Sequence, residues 1–211
     1  MTTPVVIVGG GGHARVVASM LLESGGRNVL GYTDLVDGGP LEGLPFLGTD
    51  AALDGVRLRH ADLELALGVG HLGNDRVRRG IAERLEGAGL KFTTVVAKSA
   101  AVAPSAALER GCVVMPNAVV NAGARAGAFA IVNSGAVLEH DASLGDHTHL
   151  APGAIVCGDT HIGRDSFIGA GAVVVQGVTI PDETIVGAGS LVCRSIDTSG
   201  VYVGCPVRRV R

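Results

Sequence analysis

Residues 133–152 read NSGAVLEHDASLGDHTHLAP, with no lysine or arginine among them. They hold three of the chain's seven histidines, His140, His147 and His149, within ten residues. An imidazole titrates near neutral pH, so one placed against a reacting group can take up and return a proton. A carboxylate on its other nitrogen fixes the tautomer and raises the basicity. His140 with Asp141 offers that pair, and Glu139 stands by as a further carboxylate. Neighbours on an extended strand point to opposite sides, so His140 and Asp141 meet only if the chain bends between them.

The element that carries these residues is a repeat. Counting in sixes from Leu138 gives Val102, Leu108, Val114, Val120, Ala126, Val132, Leu138, Leu144, Leu150, Val156, Ile162, Ile168, Val174, Ile180, Val186 and Val192. All sixteen are apolar and fifteen are Val, Leu or Ile. With about half of residues apolar, chance gives such a run roughly once in 10^5 trials. Two residues before each aliphatic the chain places a small or β-branched residue, from Ala100, Ala106 and Cys112 to Thr184 and Ser190. A period of six fits neither a 3.6-residue helix nor a hairpin sheet. It fits a parallel β-helix in which each hexad is one short strand and three hexads close a triangular coil. The repeat covers about residues 100–193. It makes about five coils, roughly 25 Å in height at the usual strand spacing. The register does not slip, so a site must lie on the outside of the prism.

A second candidate site precedes the repeat. PVVIVGGGGHARVVASMLLESG reads as a strand, Val5–Val8, a glycine turn and an amphipathic helix over Ala14–Leu22. A further strand, NVLGYTD, ends at Asp34. LELALGVG, NDRVRRGIAERLEGAG and KFTTVV continue the βα alternation, which implies a small parallel sheet with flanking helices. A dinucleotide fingerprint is disfavoured, because Gly10-x-Gly12-x-x puts Arg15 where the last glycine belongs. A mononucleotide half-site fits better, with Gly10, Gly11 and Gly12 offering amides to phosphate and Asp34 accepting from hydroxyls. The alternative is a tight turn with Asp34 as a solvated strand end.

Composition narrows the classes. The chain has 211 residues, 33 Gly, no Trp and 3% aromatic residues, so its core is built from thin layers. A net charge of −3 argues against nucleic acid as the main partner. No apolar run approaches membrane-spanning length, and MTTPVVIVGGGG lacks the basic start of a signal peptide. Cys112, Cys157, Cys193 and Cys205 form no CxxC pair, which disfavours a zinc knuckle or dithiol redox site. Reduced thiols and a cytoplasmic location are expected.

The hexads resemble the hexapeptide-repeat acyltransferases, whose fold is a left-handed parallel β-helix. GGGGHARVV, the strand ending GYTD, LPFLGTD, NSGAVLEHD, GDHTHLAPGA and VYVGCPVRR extend the resemblance along essentially the whole chain. It is similar there to bacterial nucleotide-amino-sugar N-acetyltransferases and the related sialic acid O-acetyltransferases. The resemblance implies a mainly β protein with a small α/β domain: 1–97 Rossmann-like and nucleotide-sugar-binding, 98–195 a β-helix for acetyl-CoA and catalysis, 196–211 a capping tail. It implies His140 as catalytic base, with Asp141 raising its basicity. It implies His149, Gly158, Ala170 and Ala188 along the acetyl-CoA groove. Gly10, Gly11, Gly12, Asp34, Gly48 and Asn133 match the nucleotide-sugar contacts. Acetyl-CoA is the expected co-substrate, no metal is expected, and a homotrimer with a shared site fits three flat prism faces. Two departures are Cys205-Pro206-Val207 for a more usual Val-Pro-Ala, and His71-Leu72 inserted in GVGHLGNDR.

Rival readings use the same residues. A sugar hydroxyl would serve as acceptor in place of an amine, which gives O-acetylation. Three histidines on a β-helix also raise a carbonic-anhydrase-like zinc site. No two histidines in the repeat lie 36 residues apart, and His140, His147, His149 and His161 fall at mismatched coil positions. His147 and His161 are read as surface residues. A non-catalytic scaffold has no use for a base beside a carboxylate.

Overall fold

The structure is a computed structural model that describes residues 2–71, 73 and 76–211. Leu72, one of the two inserted residues noted above, lies outside the described residues, as do Asn74 and Asp75 of the βα reading. The chain divides into two compact units: Met1–His71 with Arg76–Lys98, and a larger one whose body is Ser99–Arg211.

The first unit is a small parallel sheet with three helices. The apolar run after Pro4 forms β1 (Pro4–Val8), buried along its whole length. The glycine turn leads into α1 (Gly12–Ser24), which ends at Gly25 in the left-handed conformation, φ 65°. Next come β2 (Asn28–Thr33), α2 (Ala52–Arg59), β3 (Glu64–Leu67), α3 (Val77–Gly87) and β4 (Lys91–Phe92). The sheet order is β2-β1-β3-β4, all parallel. The chain therefore leaves β1 toward one side and later returns on its other side. That reversal puts the glycine turn at the carboxyl end of β1, where open α/β sheets bind ligands.

The second unit is the β-helix. Each hexad contributes one two-residue strand, and residues eighteen apart pair in parallel register on successive coils. The first face runs from Ala107–Leu108 to Thr179–Ile180. The second includes Val113–Val114, Ile131–Val132, His149–Leu150, Phe167–Ile168 and Ile185–Val186. The third runs from Ala101–Val102 to Leu191–Val192. The second residue of each strand points to the axis, and from Val114 to Val192 every one is buried. The small residue before each of those strands, from Cys112 to Ser190, is buried too, at the corner. Where it is polar its hydroxyl is used internally, as in Thr148 Oγ1 donating to the Gly163 carbonyl at 2.7 Å. The fold class is thus the expected one, a left-handed parallel β-helix preceded by a Rossmann-like βαβ domain. Val201–Gly204 adds a parallel strand beside Ile185–Val186 and pairs with Val207–Arg209 in an antiparallel hairpin.

The corners explain a feature that alternation alone hides. From Leu108 to Val186, the third residue after each axial residue takes a left-handed backbone. Often it is glycine, but it is Asn117, Phe129, Asp141, His147, Asp159, Asp165 and Glu183 at φ between 53° and 60°. Such conformations favour glycine and tolerate Asn and Asp. Asp141 is one of these corner residues, with φ 60°.

The outward rows of the three faces differ. The first is polar, with Arg125, Ser143, His161 and Thr179. On the second, Val113 and Ile131 are 1% exposed and His149 5%. The third is an apolar row, Val119, Val137, Ile155, Val173 and Leu191. None of those five is buried.

Candidate active site

The bend at Asp141 satisfies the condition that the sequence set. His140 and Asp141 sit on the corner after the third face, and the left-handed Asp141 turns its carboxylate back onto the preceding ring. His140 Nδ1 lies 3.0 Å from Asp141 Oδ2. With Nδ1–H donating to the carboxylate, Nε2 keeps its lone pair for an incoming proton. The pair is open, with side chains 52% and 67% exposed. The His140 pKa is raised above the ordinary imidazole value. The main cause is the Asp141 hydrogen bond, opposed by partial desolvation and reinforced by the charges of Asp141, Glu139 and Asp159.

Two glycines on neighbouring coils make room for the pair. A Cβ on Gly158 would stand 2.5 Å from His140 Nε2 and 2.6 Å from Cε1. The imidazole therefore lies directly on the Gly158 backbone. On the other side, a Cβ on Gly123 would collide with Asp141 Oδ1. Neither glycine is replaceable without moving the imidazole or its carboxylate. The coil period is the signal for both contacts, since 123, 141 and 140, 158 are eighteen apart.

His149 is set on the second face. Its Nε2 lies 2.9 Å from Asn133 Nδ2, and its ring meets Phe167 edge-on at 5.2 Å. Asn133 Oδ1 accepts from the Ser134 amide at 2.7 Å, which turns the Asn133 NH₂ toward His149. His149 Nε2 is then the acceptor and the ring proton is on Nδ1. Ala170 and Ala188 lie together on the corner between the second and third faces, both exposed, with the Gly189 amide donating to the Ala170 carbonyl at 2.8 Å. The candidates thus form two groups, at opposite edges of the third face. His140, Asp141 and Gly158 hold one edge; Asn133, Ala170 and Ala188 hold the other, next to His149.

The remaining histidines have other surroundings. His147, read as a surface residue, is half-buried and stacks on Phe129 at 5.1 Å and 7°. His161 is exposed, with Nδ1 2.8 Å from Ser143 Oγ and Nε2 3.8 Å from Asp159 Oδ1. Sequence reading missed both contacts, though 129/147 and 143/161 are again eighteen apart. Among the described residues no group of three His, Cys, Asp or Glu side chains is arranged to hold a metal ion. No helix among them is long and apolar enough to cross a membrane.

In the first unit, Gly10, Asp34 and Gly48 come together. Asp34 Oδ2 accepts from the Gly10 amide at 2.6 Å, and Oδ1 accepts from the Leu35 amide at 2.6 Å. The Asp34 amide donates to the Gly48 carbonyl at 3.2 Å. A Cβ on Gly10 would stand 2.6 Å from the Tyr32 ring. Gly11 caps α1 without a side-chain bond, and no acidic residue sits in its first turn. A Cβ on Gly11 or Gly12 would meet nothing within 4 Å, so the positive end of α1 is open to an anion.

Residues 4–85 match the family described as PglD N-terminal domain, and residues 159–194 match bacterial transferase hexapeptide (six repeats). No curated protein sequence matches. Solved structures do. The acetyltransferase domain of PglB from Neisseria gonorrhoeae, in complex with acetyl coenzyme A, is 32% identical, covers 100% of both chains and superimposes with a TM-score of 0.91. A variant of perosamine N-acetyltransferase from Caulobacter crescentus, in complex with CoA and GDP-perosamine, is 36% identical over 98% of this chain and 96% of that one, with a TM-score of 0.90. WeeI from Acinetobacter baumannii shares the fold, with 24% identity over 99% and 100% of the chains and a TM-score of 0.86. With its glycine-turn α/β unit, its hexad β-helix and full-length identity above the level of shared fold alone, the chain belongs to the hexapeptide-repeat sugar N-acetyltransferases that carry a PglD-type N-terminal domain.

Proposed function

We propose that this protein moves acetyl from acetyl-CoA to the amino group of a nucleotide-linked amino sugar, for glycan or surface polysaccharide assembly. The observation that carries the reading is the His140–Asp141 pair, with Nε2 of the ring left as base. The sugar amine attacks the thioester carbonyl, and His140 Nε2 takes the amine proton. Asp141 holds the imidazolium that forms. As the C–S bond breaks, His140 returns the proton to the leaving thiolate, and the base is restored. A thioester needs little electrophilic help, so a positioned base is the main requirement.

The other assignments follow the two edges of the third face. His149, Ala170 and Ala188 take the acetyl-CoA arm, and Asn133 faces the acceptor. Gly158 serves by holding the base as much as by lining a groove, because its missing Cβ is the floor beneath the imidazole. In the first unit, Gly10–Gly12 and the open end of α1 take phosphate, while Asp34 and Gly48 hold the turn in shape. The working unit is a homotrimer packed through the apolar third face, in the cytoplasm where acetyl-CoA is supplied.

The test is release of CoA thiol from acetyl-CoA across UDP-, GDP-, dTDP- and CMP-linked amino sugars, with the matching hydroxyl sugars as controls. One amino sugar should be acetylated, and His140→Ala should lower kcat by about two to four orders of magnitude. Turnover only with hydroxyl sugars replaces the reading with O-acetylation. His140→Ala within tenfold of wild type removes His140 as base.

A further inference from the structure

We infer that Glu139, anchored by Asn121 on the preceding coil, is a positioning residue that fixes the backbone of His140 and supplies a second negative charge to its ring. This rests on the proposed role of His140 as base; it gives the further carboxylate Glu139 a geometric role and adds Asn121, to which no role has been given.

The geometry starts from the turn. Residues 139–142 form the corner, closed by the Ala142 amide donating to the Glu139 carbonyl at 3.2 Å. That bond leaves the His140 amide for another acceptor, and Glu139 Oε2 takes it at 3.1 Å. The same oxygen accepts from Asn121 Nδ2 at 3.0 Å, eighteen residues back and one coil away. Asn121 is itself oriented, because its Oδ1 accepts from the Ala122 amide at 2.9 Å. Its NH₂ group must then face Glu139. The chain Asn121 side chain, Glu139 carboxylate, His140 amide therefore ties the catalytic corner to the coil before it. Asn121 and Asn133 cap the following amide in the same way with a neutral side chain. At position 139, beside the ring that must gain a proton, the cap is charged.

Charge is what distinguishes a positioning residue from a turn cap. The carboxylates facing the ring are Asp141 and Glu139 on its own corner and Asp159 on the next coil, and each raises the His140 pKa. Removing the Glu139 charge leaves the other two, so the His140 titration must move to lower pH without collapsing. Glu139→Gln keeps an oxygen for both hydrogen bonds and removes only the charge. Glu139→Ala removes both. Asn121→Ala frees the carboxylate but leaves its charge.

The experiment reads the His140 ring by NMR titration in the full-length protein, alongside the pH profile of kcat for the accepted sugar. Glu139→Gln should move the His140 midpoint to lower pH and keep the high-pH plateau within about threefold. Glu139→Ala should move it in the same direction and lower the plateau about tenfold, a fraction of what a general base contributes. Asn121→Ala should lower the plateau with the midpoint nearly in place. A His140 midpoint that does not move in Glu139→Gln overturns the inference, as does an unchanged plateau in Glu139→Ala. The ring titration needs no substrate, so it decides this inference even if His140→Ala stays active and the proposed function falls.

Discussion

His140 stands on Gly158, and Asp141 stands against Gly123, so the proposed base is held as much by two missing side chains as by its own chemistry. Gly158→Ala puts a methyl where Nε2 and Cε1 now lie, and the ring must swing off the corner. A displaced reacting group loses much of its rate, so kcat should fall by about tenfold or more. Circular dichroism melting should show the β-helix intact; wild-type kcat in a folded Gly158→Ala protein contradicts the contact. Asp141→Asn tests the electrostatics. Only the neutral ring is a base, so activity is lost as pH falls through the His140 pKa, which Asp141 raises chiefly by its hydrogen bond. The amide removes that support, and the acidic limb of the kcat/KM profile should move to lower pH with a lower plateau. An unmoved limb would mean that the ring is not the titrating base. The types of these residues were legible from NSGAVLEHD, but their contact was not, because strand alternation points neighbours apart. What joins them is the left-handed corner that recurs three residues after the axial residues from Leu108 to Val186, a backbone fact that residue types such as Asp and Asn only hint at.

At the scale of the element, the hexad separates two kinds of apolar residue that composition treats alike. Leu138 is the second residue of its strand and fully buried, whereas Val137, one residue earlier, points out from the third face and is only half-buried. Leu138→Ala leaves a void on the axis that the rigid coils close poorly, and should cost about 2–5 kcal/mol. Val137→Ala should cost much less in the isolated chain. Equal losses in denaturant melts would contradict an axial core. The period made the whole β-helix readable, since axial side chain, corner residue and strand register all follow from one count. The same count spaces the straight vertical contacts eighteen apart, as in Asn121 with Glu139 and Ser143 with His161, although neither contact was read from the sequence. The contact of Asn133 with His149 is sixteen residues apart and runs obliquely between coils, so no count of six finds it. The glycine turn is a similar case. Its strand and helix are legible from PVVIVGGGGHARVV, but the clasp of Asp34 on the Gly10 amide depends on β2 lying beside β1, which is a matter of sheet order.

For the whole molecule, the two edges of the third face pose the decisive question. One edge holds His140 and Asp141; the other holds Asn133, Ala170 and Ala188, and an apolar row of Val119, Val137, Ile155, Val173 and Leu191 runs between them. The half-exposed imidazole on a lone prism is open to water, and a row of unburied aliphatics is the kind of patch that marks a contact surface. The proposed trimer would answer both, because closed rotational symmetry sets one edge of each copy against the opposite edge of the next. Sedimentation should give three times the 21.2 kDa chain mass. Ile155→Asp puts a charge in the middle of the row and should yield monomers that are folded but inactive. Mixing is the sharper test. His140→Ala and a bulky Ala170→Trp are each inactive alone. After unfolding and refolding together in equal amounts, a site is whole only where an Ala170→Trp copy supplies the base to a groove from a His140→Ala copy. Random assembly makes that combination about one in four sites, so about a quarter of wild-type activity should return. If base and groove came from the same copy, each chain would carry its own defect to its own site, and mixing would restore nothing.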